Sequence, residues 1–242
     1  PAPEAPSHFH RSLSGYAVTP LVSLPELADS LGVSAVYVKD ESIRLGLPAF
    51  KILGASWAVH QLLQQRRRAP VGDWQTLSEL SAKLDVEEPL TLVTATDGNH
   101  GRAVAHVAAL LGLRARIAVP QGTATARIAA IAAEGAEVVI VEGGYDAAVA
   151  TVASWASQDR VIVSDTSWPG YEQVPSWIAE GYSTLFREID EQLTSLGCRS
   201  PAMVAIPVGV GALAKPRRYL VDIVAVQRRH ARWCHRSDAA SP

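Results

Sequence analysis

Leu90-Thr91-Leu92-Val93-Thr94-Ala95-Thr96-Asp97-Gly98-Asn99-His100-Gly101-Arg102 is the stretch on which the fold class turns. Residues 90–94 are short, apolar and β-rich, and the Ala-rich run 101–111 that follows has helical spacing and is stopped by Gly112. The same alternation then repeats. Strands are expected at 114–119, 137–141 and 160–163, and helices at 124–133, capped by Gly135, and 146–157. Short apolar strands alternating with helices predict an α/β fold with a parallel sheet. The loop 94–102 then sits at the carboxyl end of a strand, where ligands of such sheets collect. Its two glycines let backbone approach a flat ligand closely, Asn99 offers an amide, and Asp97 offers a carboxylate. An Asx-Gly turn that caps a helix explains the same residues without any ligand. His100 reads either as a partner for a ligand ring or as a turn histidine bonded to backbone.

Outward from this core, residues 1–20 read as a polar, Pro-rich loop, 25–31 as a short helix closed by Gly32, and 35–39 as a strand. Residues 50–67 have helical spacing, with Gly54, Ala55 and Ser56 keeping the first turn slim. Residues 68–90 read as a linker or insertion with a helix near 77–84. A single helix is expected over 172–193, and a strand at 203–207 runs into Gly209-Val210-Gly211-Ala212.

Composition narrows the function classes. The chain has 242 residues, 48% of them hydrophobic and 19% charged, enough for a sizeable globular core. A net charge of −2 gives no field for nucleic acid or an anionic membrane. No apolar run is long enough to span a bilayer, and no signal peptide is expected. Cys198 and Cys234 form neither a disulfide framework nor a metal spacing. A cytoplasmic enzyme fits this picture. The chain starts without Met, as a segment of a longer gene product would. From Lys215 onward seven basic residues face only Asp222 and Asp238, which reads as a foreign, frameshift-like ending or as a basic surface tail.

Four places carry residues suited to chemistry. Lys51, one of four lysines with Lys39, Lys83 and Lys215, opens a helix behind Phe50. The positive end of the helix dipole and an apolar neighbour both favour its neutral amine, the form that reacts with aldehydes. On local features alone a solvated turn lysine is the simpler reading. Asp97 and Asn99 lie in the loop already quoted. Asp165 ends a strand, as a catalytic carboxylate or an Asx turn. Gly209, Val210, Gly211 and Ala212 follow a strand and suit phosphate binding through backbone N–H groups. They also match a nicotinamide dinucleotide pattern, but Pro216 leaves too little helix for that unit. Arg127 and Tyr145 are expected to serve helix ends.

Together these stretches resemble the fold type II pyridoxal-phosphate enzymes, the tryptophan synthase beta-like superfamily. Phe50-Lys51-Ile52-Leu53-Gly54-Ala55-Ser56 is similar to the cofactor-lysine motif, Asp97-Gly98-Asn99-His100-Gly101 to the asparagine loop, and Gly209-Val210-Gly211 to the phosphate loop. Ala49-Phe50-Lys51, Thr96 to Arg102, and Asp165-Thr166-Ser167-Trp168 with Gly170-Tyr171 resemble the diaminopropionate ammonia-lyases in particular. The resemblance covers about residues 8–214. It implies a two-domain fold with parallel sheets flanked by helices, incomplete at the C-terminus. Residues 1–88 and 172–214 would form the large cofactor domain, 89–171 the small α/β domain, and 215–242 an aberrant basic tail. It further implies pyridoxal 5'-phosphate as cofactor, with Lys51 forming the Schiff base, Asn99 bonded to the ring hydroxyl oxygen and residues 209–212 cradling the phosphate. The implied reaction is α,β-elimination of 2,3-diaminopropionate to pyruvate and ammonia by a homodimer acting on a small amino acid. In it Lys51 and Asp97 would take the α-proton from opposite enantiomers, and Asp165 would hold the second amino group. With so little chain after Ala214, weak cofactor binding, low stability, bare apolar faces and little turnover are expected. The alternatives are a non-catalytic remnant, another serine or threonine dehydratase-like enzyme, and a nicotinamide-binding domain.

Overall fold

The computed structural model describes residues 4–66, 79, 90–198, 201–217 and 222–226. The expected linker and its helix near 77–84 therefore lie, Glu79 apart, outside the described residues, as does Lys83. The centre of the fold is a parallel four-stranded sheet. It contains β3 (Thr91–Ala95), β4 (Arg114–Pro120), β5 (Glu137–Val141) and β6 (Arg160–Ile162), in the order β5-β4-β3-β6. The inner strand β3 is buried on both sides, as a covered parallel sheet requires. Its side chains alternate between two cores. Leu92, with Ile117 and Val119 of β4, packs toward α4 (Asn99–Leu110), whereas Val93, Ala95 and Ala118 pack under Ala148 and Val152 of α6 (Tyr145–Ser154). The two-residue period of a strand thus assigns one helix to each face. Helix α5 (Thr125–Ala132) joins β4 to β5.

On the α4 side lies α3 (Lys51–Arg66), whose residues 52–59 are buried on every side. A helix apolar all round must be enclosed, and α3 is: it packs between α4 and α7 (Gln173–Gly181). The contact with α7 is made by glycines. A Cβ on Gly54 would stand 2.5 Å from Tyr182 Cε1 and 2.7 Å from the Ile178 carbonyl oxygen, and one on Gly181 would stand 2.5 Å from the Leu53 carbonyl oxygen. Backbone cannot yield as a flexible side chain does. Gly54→Ala is therefore expected to lower stability by about 1–3 kcal/mol through overpacking, read as a fall in the urea midpoint with an unchanged slope.

Two sequence expectations are corrected here. The expected single helix over 172–193 is two helices, α7 and α8 (Ser183–Ser195), which part at Tyr182. The close seat of Gly181 on α3 fixes where α7 runs, and Tyr182 turns inward to full burial. The expected loop over 1–20 contains α1 (Glu4–Arg11). Pro6, Phe9, His10 and Leu13 line one buried face at helical spacing. Phe9 meets Trp57 edge-on at 5.4 Å. His10 Nε2–H donates to the Leu53 carbonyl at 2.9 Å, and the Thr184 hydroxyl donates to Nδ1 at 2.7 Å.

The N-terminal unit also holds β1 (Leu21–Ser23), α2 (Pro25–Leu31) and β2 (Tyr37–Lys39). Strands β1 and β2 pair antiparallel, and the directly opposed Val22 and Val38 are both exposed, as is Ile43. A buried charge cluster ties this unit to α8. Glu188 accepts hydrogen bonds from Arg44 Nη1 (2.7 Å) and Nη2 (2.8 Å) and from the Tyr16 hydroxyl (2.6 Å), and Lys39 Nζ lies 2.7 Å from it. At the other end, β7 (Met203–Pro207) pairs in parallel with β8 (Asp222–Val226). Between them Ala212–Arg217 forms a 3₁₀ helix that includes Pro216. Among the described residues no helix is long and apolar enough to cross a membrane.

Candidate functional site

Neighbouring strands bring the site together. The loops after β3 and β6 emerge side by side at the carboxyl edge of the sheet, and the N-terminus of α3 is aimed at them. After β3, the Thr96 hydroxyl oxygen accepts from the N–H groups of Gly98 (2.9 Å) and Gly101 (3.1 Å), which folds the turn and starts α4. After β6, the Tyr171 hydroxyl donates to the Ile162 carbonyl and accepts from the Ser164 N–H, both at 2.9 Å, so the turn carrying Asp165 is pinned. Trp168 stacks on Tyr171 at 4.2 Å.

The central contact is an ion pair. Lys51 Nζ donates to Asp165 Oδ2 at 2.6 Å, with the Lys51 side chain 24% exposed and Asp165 6%. Behind the carboxylate, His100 is buried. Its Nε2–H donates to the Val163 carbonyl at 2.8 Å, and its Nδ1 stands 3.9 Å from Asp165 Oδ2. Burial opposes the Asp165 carboxylate, but the charges around it, His100 when protonated and the Lys51 ammonium that also donates a hydrogen bond, outweigh it and hold the carboxyl below its ordinary range. Burial alone would lower the Lys51 pKa. Tyr182 and the Asp165 carboxylate together reverse the sign, so the amine is held above its ordinary value. This corrects the expectation of a lowered Lys51 pKa from helix dipole and Phe50. Phe50 even presents its ring 5.6 Å from Nζ, an arrangement that favours the ammonium. Burial keeps His100 neutral-leaning, with its pKa lowered, and raises those of Tyr145 and Tyr182.

The other sequence-predicted residues divide. Asp97 does not face Lys51. It is 79% exposed, and its carboxylate lies 3.9 Å from Arg127 Nη1, while the same nitrogen donates to its carbonyl at 2.9 Å. Arg127 thus braces the loop. Asn99 is exposed at the first position of α4. Tyr145 reaches the site, its hydroxyl 3.0 Å from Thr166 Oγ1. Ala212 and Leu213 belong to the same hydrophobic cluster as Ile52, Ile178 and Tyr182, which anchors the 209–212 loop on the α3–α7 layer. Tyr182 is the residue that the sequence reading missed. Its ring lies 5.7 Å from Lys51 Nζ, and its hydroxyl is buried without a hydrogen-bond partner among the described residues. A cavity of about 380 Å³ lined by Thr91, Arg114, Arg116 and Arg160 lies at the opposite, amino edge of the sheet and holds none of these groups.

The donor set suits pyridoxal phosphate. Lys51 supplies an amine, Asn99 an exposed amide, and the N–H groups of Gly209, Val210 and Gly211 make no backbone hydrogen bond among the described residues. A Cβ on Gly209 or Gly211 would meet nothing within 4 Å, and Gly211 holds φ +81°. Next to the ion pair, the Tyr182 hydroxyl and His100 Nδ1 are buried polar atoms without a hydrogen-bond partner among the described residues.

The chain belongs to the pyridoxal-phosphate dependent enzyme family, whose profile it matches over residues 13–236. Among individual proteins it is similar to the diaminopropionate ammonia-lyase of Escherichia coli strain K12, with 42% identity over 225 residues, covering 92% of this chain and 56% of that one. The crystal structure of the Escherichia coli lyase in apo form superposes with a TM-score of 0.84 at 38% identity, covering 93% of this chain and 62% of that one. The same lyase in complex with an aminoacrylate-PLP azomethine reaction intermediate gives 0.80 at 38% identity, covering 93% and 58%. The chain spans little more than half the length of the curated relatives it matches.

Proposed function

We propose that this chain carries the cofactor-lysine region of a carbon–nitrogen lyase that eliminates ammonia from 2,3-diaminopropionate and yields pyruvate. The observation that carries the reading is the Lys51–Asp165 pair at the carboxyl edge of the sheet, 2.6 Å apart, in a chain 42% identical to the Escherichia coli lyase. In this reading Lys51 attaches the cofactor covalently, the Asn99 amide bonds its ring hydroxyl oxygen, and the N–H groups of residues 209–212 hold its phosphate. Pyridoxal phosphate, when bound, supplies the electron sink for the α-carbon charge. The protein's part is proton handling. Lys51 Nζ takes the α-proton from one face, and the buried Asp165 carboxylate seats the substrate's second ammonium and governs its protonation as it leaves. Asp97 takes the α-proton of the other enantiomer. Asp97→Asn is then expected to cut turnover of one enantiomer by about 10²–10⁴-fold, the range of a lost general base, and to spare the other. Equal loss on D- and L-diaminopropionate would remove Asp97 from the proton transfer.

The test of the reading is an absorption spectrum with added pyridoxal phosphate, then borohydride reduction, peptide mapping, and a pyruvate assay with 2,3-diaminopropionate. A reduced adduct on residue 51 together with pyruvate release is expected. A second reading rests on the six-residue 3₁₀ helix Ala212–Arg217. So short an element adds little dipole to the phosphate loop, and the chain would then form the adduct but turn over poorly. Adduct without pyruvate selects it. The remaining parts of the proposal are a cytoplasmic site of action and a homodimer, which size-exclusion chromatography checks.

A further inference from the structure

We propose that His100 is a positioning residue that becomes the counter-ion of Asp165 whenever the Lys51 amine is withdrawn from it; the inference rests on Lys51 being the cofactor lysine. Asp165 is buried and has two nitrogen-bearing neighbours on different elements. Lys51 on α3 holds it at 2.6 Å, whereas His100 on α4 stands off at 3.9 Å. The stand-off follows from the tautomer. The Val163 carbonyl can only accept, so the proton of a neutral His100 ring is committed to Nε2 at 2.8 Å. Val163 cannot shift to relieve this, because its own N–H is bonded to the Val93 carbonyl at 2.8 Å. Nδ1 is left as a buried lone pair with no donor, on the side of a carboxylate. Nothing is gained from two acceptors facing each other, and a proton on Nδ1 turns the same geometry into an attraction.

Burial comes first in keeping that proton off, and the Lys51 ammonium adds to it by satisfying Asp165 and repelling an imidazolium. When the amine is used covalently, Nζ gives up its proton and the carboxylate would be left buried and unpaired, a costly state. The other groups facing this spot are the hydroxyls of Tyr182 and Tyr145, which cannot carry positive charge. Only His100 can respond. One proton leaves Lys51 Nζ to solvent, one is taken from solvent at His100 Nδ1, and the buried site remains neutral. Asp165 thereby stays ionised and in place to receive a cationic substrate amine.

The experiment needs no cofactor. The ring nitrogens of His100 are followed by ¹⁵N NMR against pH in the parent chain, in Lys51→Gln, in Lys51→Met and in Lys51→Gln/Asp165→Asn. The parent is expected to show the Nε2–H tautomer. Removing the ammonium is expected to raise the His100 midpoint by about one pH unit or more, a tenfold or greater gain in proton affinity, and the double variant to cancel the rise. Two neutral replacements are used so that a folding failure of one leaves the other. An unchanged midpoint in whichever neutral variant folds overturns the proposal, as does a rise that persists in the double variant. Borohydride mapping of the parent with pyridoxal phosphate separates this from the functional reading. An adduct away from residue 51 defeats that reading even if His100 responds, and an adduct on residue 51 with an unresponsive His100 defeats only the present inference.

Discussion

Lys51→Ala is expected to abolish the borohydride-trapped cofactor adduct and to reduce pyruvate formation to background, a loss of at least about 10²–10⁴-fold from the missing base alone. The other described lysines cannot substitute. Lys39 is buried and spoken for, its Nζ 2.7 Å from Glu188 and donating to the Thr19 carbonyl (2.6 Å) and Gln192 (2.8 Å). Lys215 is exposed beyond the glycine loop. The alanine variant also strips Asp165 of its partner, so a loss of adduct through unfolding must be separated from a loss of chemistry. Lys51→Arg does this. A guanidinium preserves the ion pair but cannot form the covalent link, so a folded, adduct-free arginine variant assigns the loss to chemistry. A reducible adduct that persists in either variant would refute the assignment. The raised Lys51 pKa adds a second readout. Only the free amine reacts with an aldehyde, so the initial labelling rate of the parent is expected to climb about tenfold per pH unit through neutrality. Asp165→Asn, by releasing the proton more readily, should speed labelling at pH 7. A flat rate profile would mean that Asp165 does not hold the amine protonated.

Much of this arrangement was legible in the sequence, and the limits have physical causes. The strands were readable because Leu92 to Ala95 and Ile117 to Val119 are buried on both faces, which writes an uninterrupted apolar run, and because the helices between them bury one Ala-rich face each. The α7–α8 break was not readable, since Gly181 is special only because Leu53 and Gly54 press against it from α3. Helix α1 did carry its signal, the spacing of Pro6, Phe9, His10 and Leu13, behind a proline-rich start. Lys51 stood out by motif, but its charge state did not. Helix dipole and Phe50 are local, whereas Asp165 lies 114 positions away; its carboxylate at hydrogen-bonding distance favours the ammonium, and the Phe50 ring sides with it. Tyr182 escaped for the same reason, as a buried aromatic in a helix run with no motif of its own.

Long-range charge also governs the second large effect. Stability is expected to fall steeply in acid, beginning near pH 6.5 and continuing below pH 4, and Glu188→Ala is expected to cost about 3–5 kcal/mol at neutral pH by leaving Arg44 and Lys39 buried without their shared partner. His10 is fully buried, and burial above all lowers its pKa to about 3. A depressed folded-state pKa means that the unfolded chain takes up the proton first. This contribution is complete above about pH 6.5 and is lost as pH falls toward 3, at about 1.4 kcal/mol per pH unit. Glu188 adds a second segment. Burial would raise its pKa, but the hydrogen bonds and charge of Arg44, with Lys39 and Tyr16, bring it down to about 2. Its stabilisation is present above the ordinary glutamate value near 4.5 and is lost as pH falls toward 2. The two groups sit at opposite ends of one clamp: His10 fastens α1 to α3 and α8, and Glu188 fastens the Tyr16–Thr19 segment and β2 to α8. Urea titrations between pH 8 and pH 3 test both. In the parent, the midpoint should drop from pH 6.5 downward. His10→Gln should flatten the upper part of that drop, and Glu188→Ala should flatten the part below pH 4.5 while lowering the neutral-pH plateau. Since α8 and α3 are also the helices against which Lys51 and Tyr182 are set, the acid loss should carry cofactor binding with it. A midpoint that stays level from pH 8 to pH 4 would show that His10 is not linked to folding, and one that stays level on to pH 3 would show the same of Glu188.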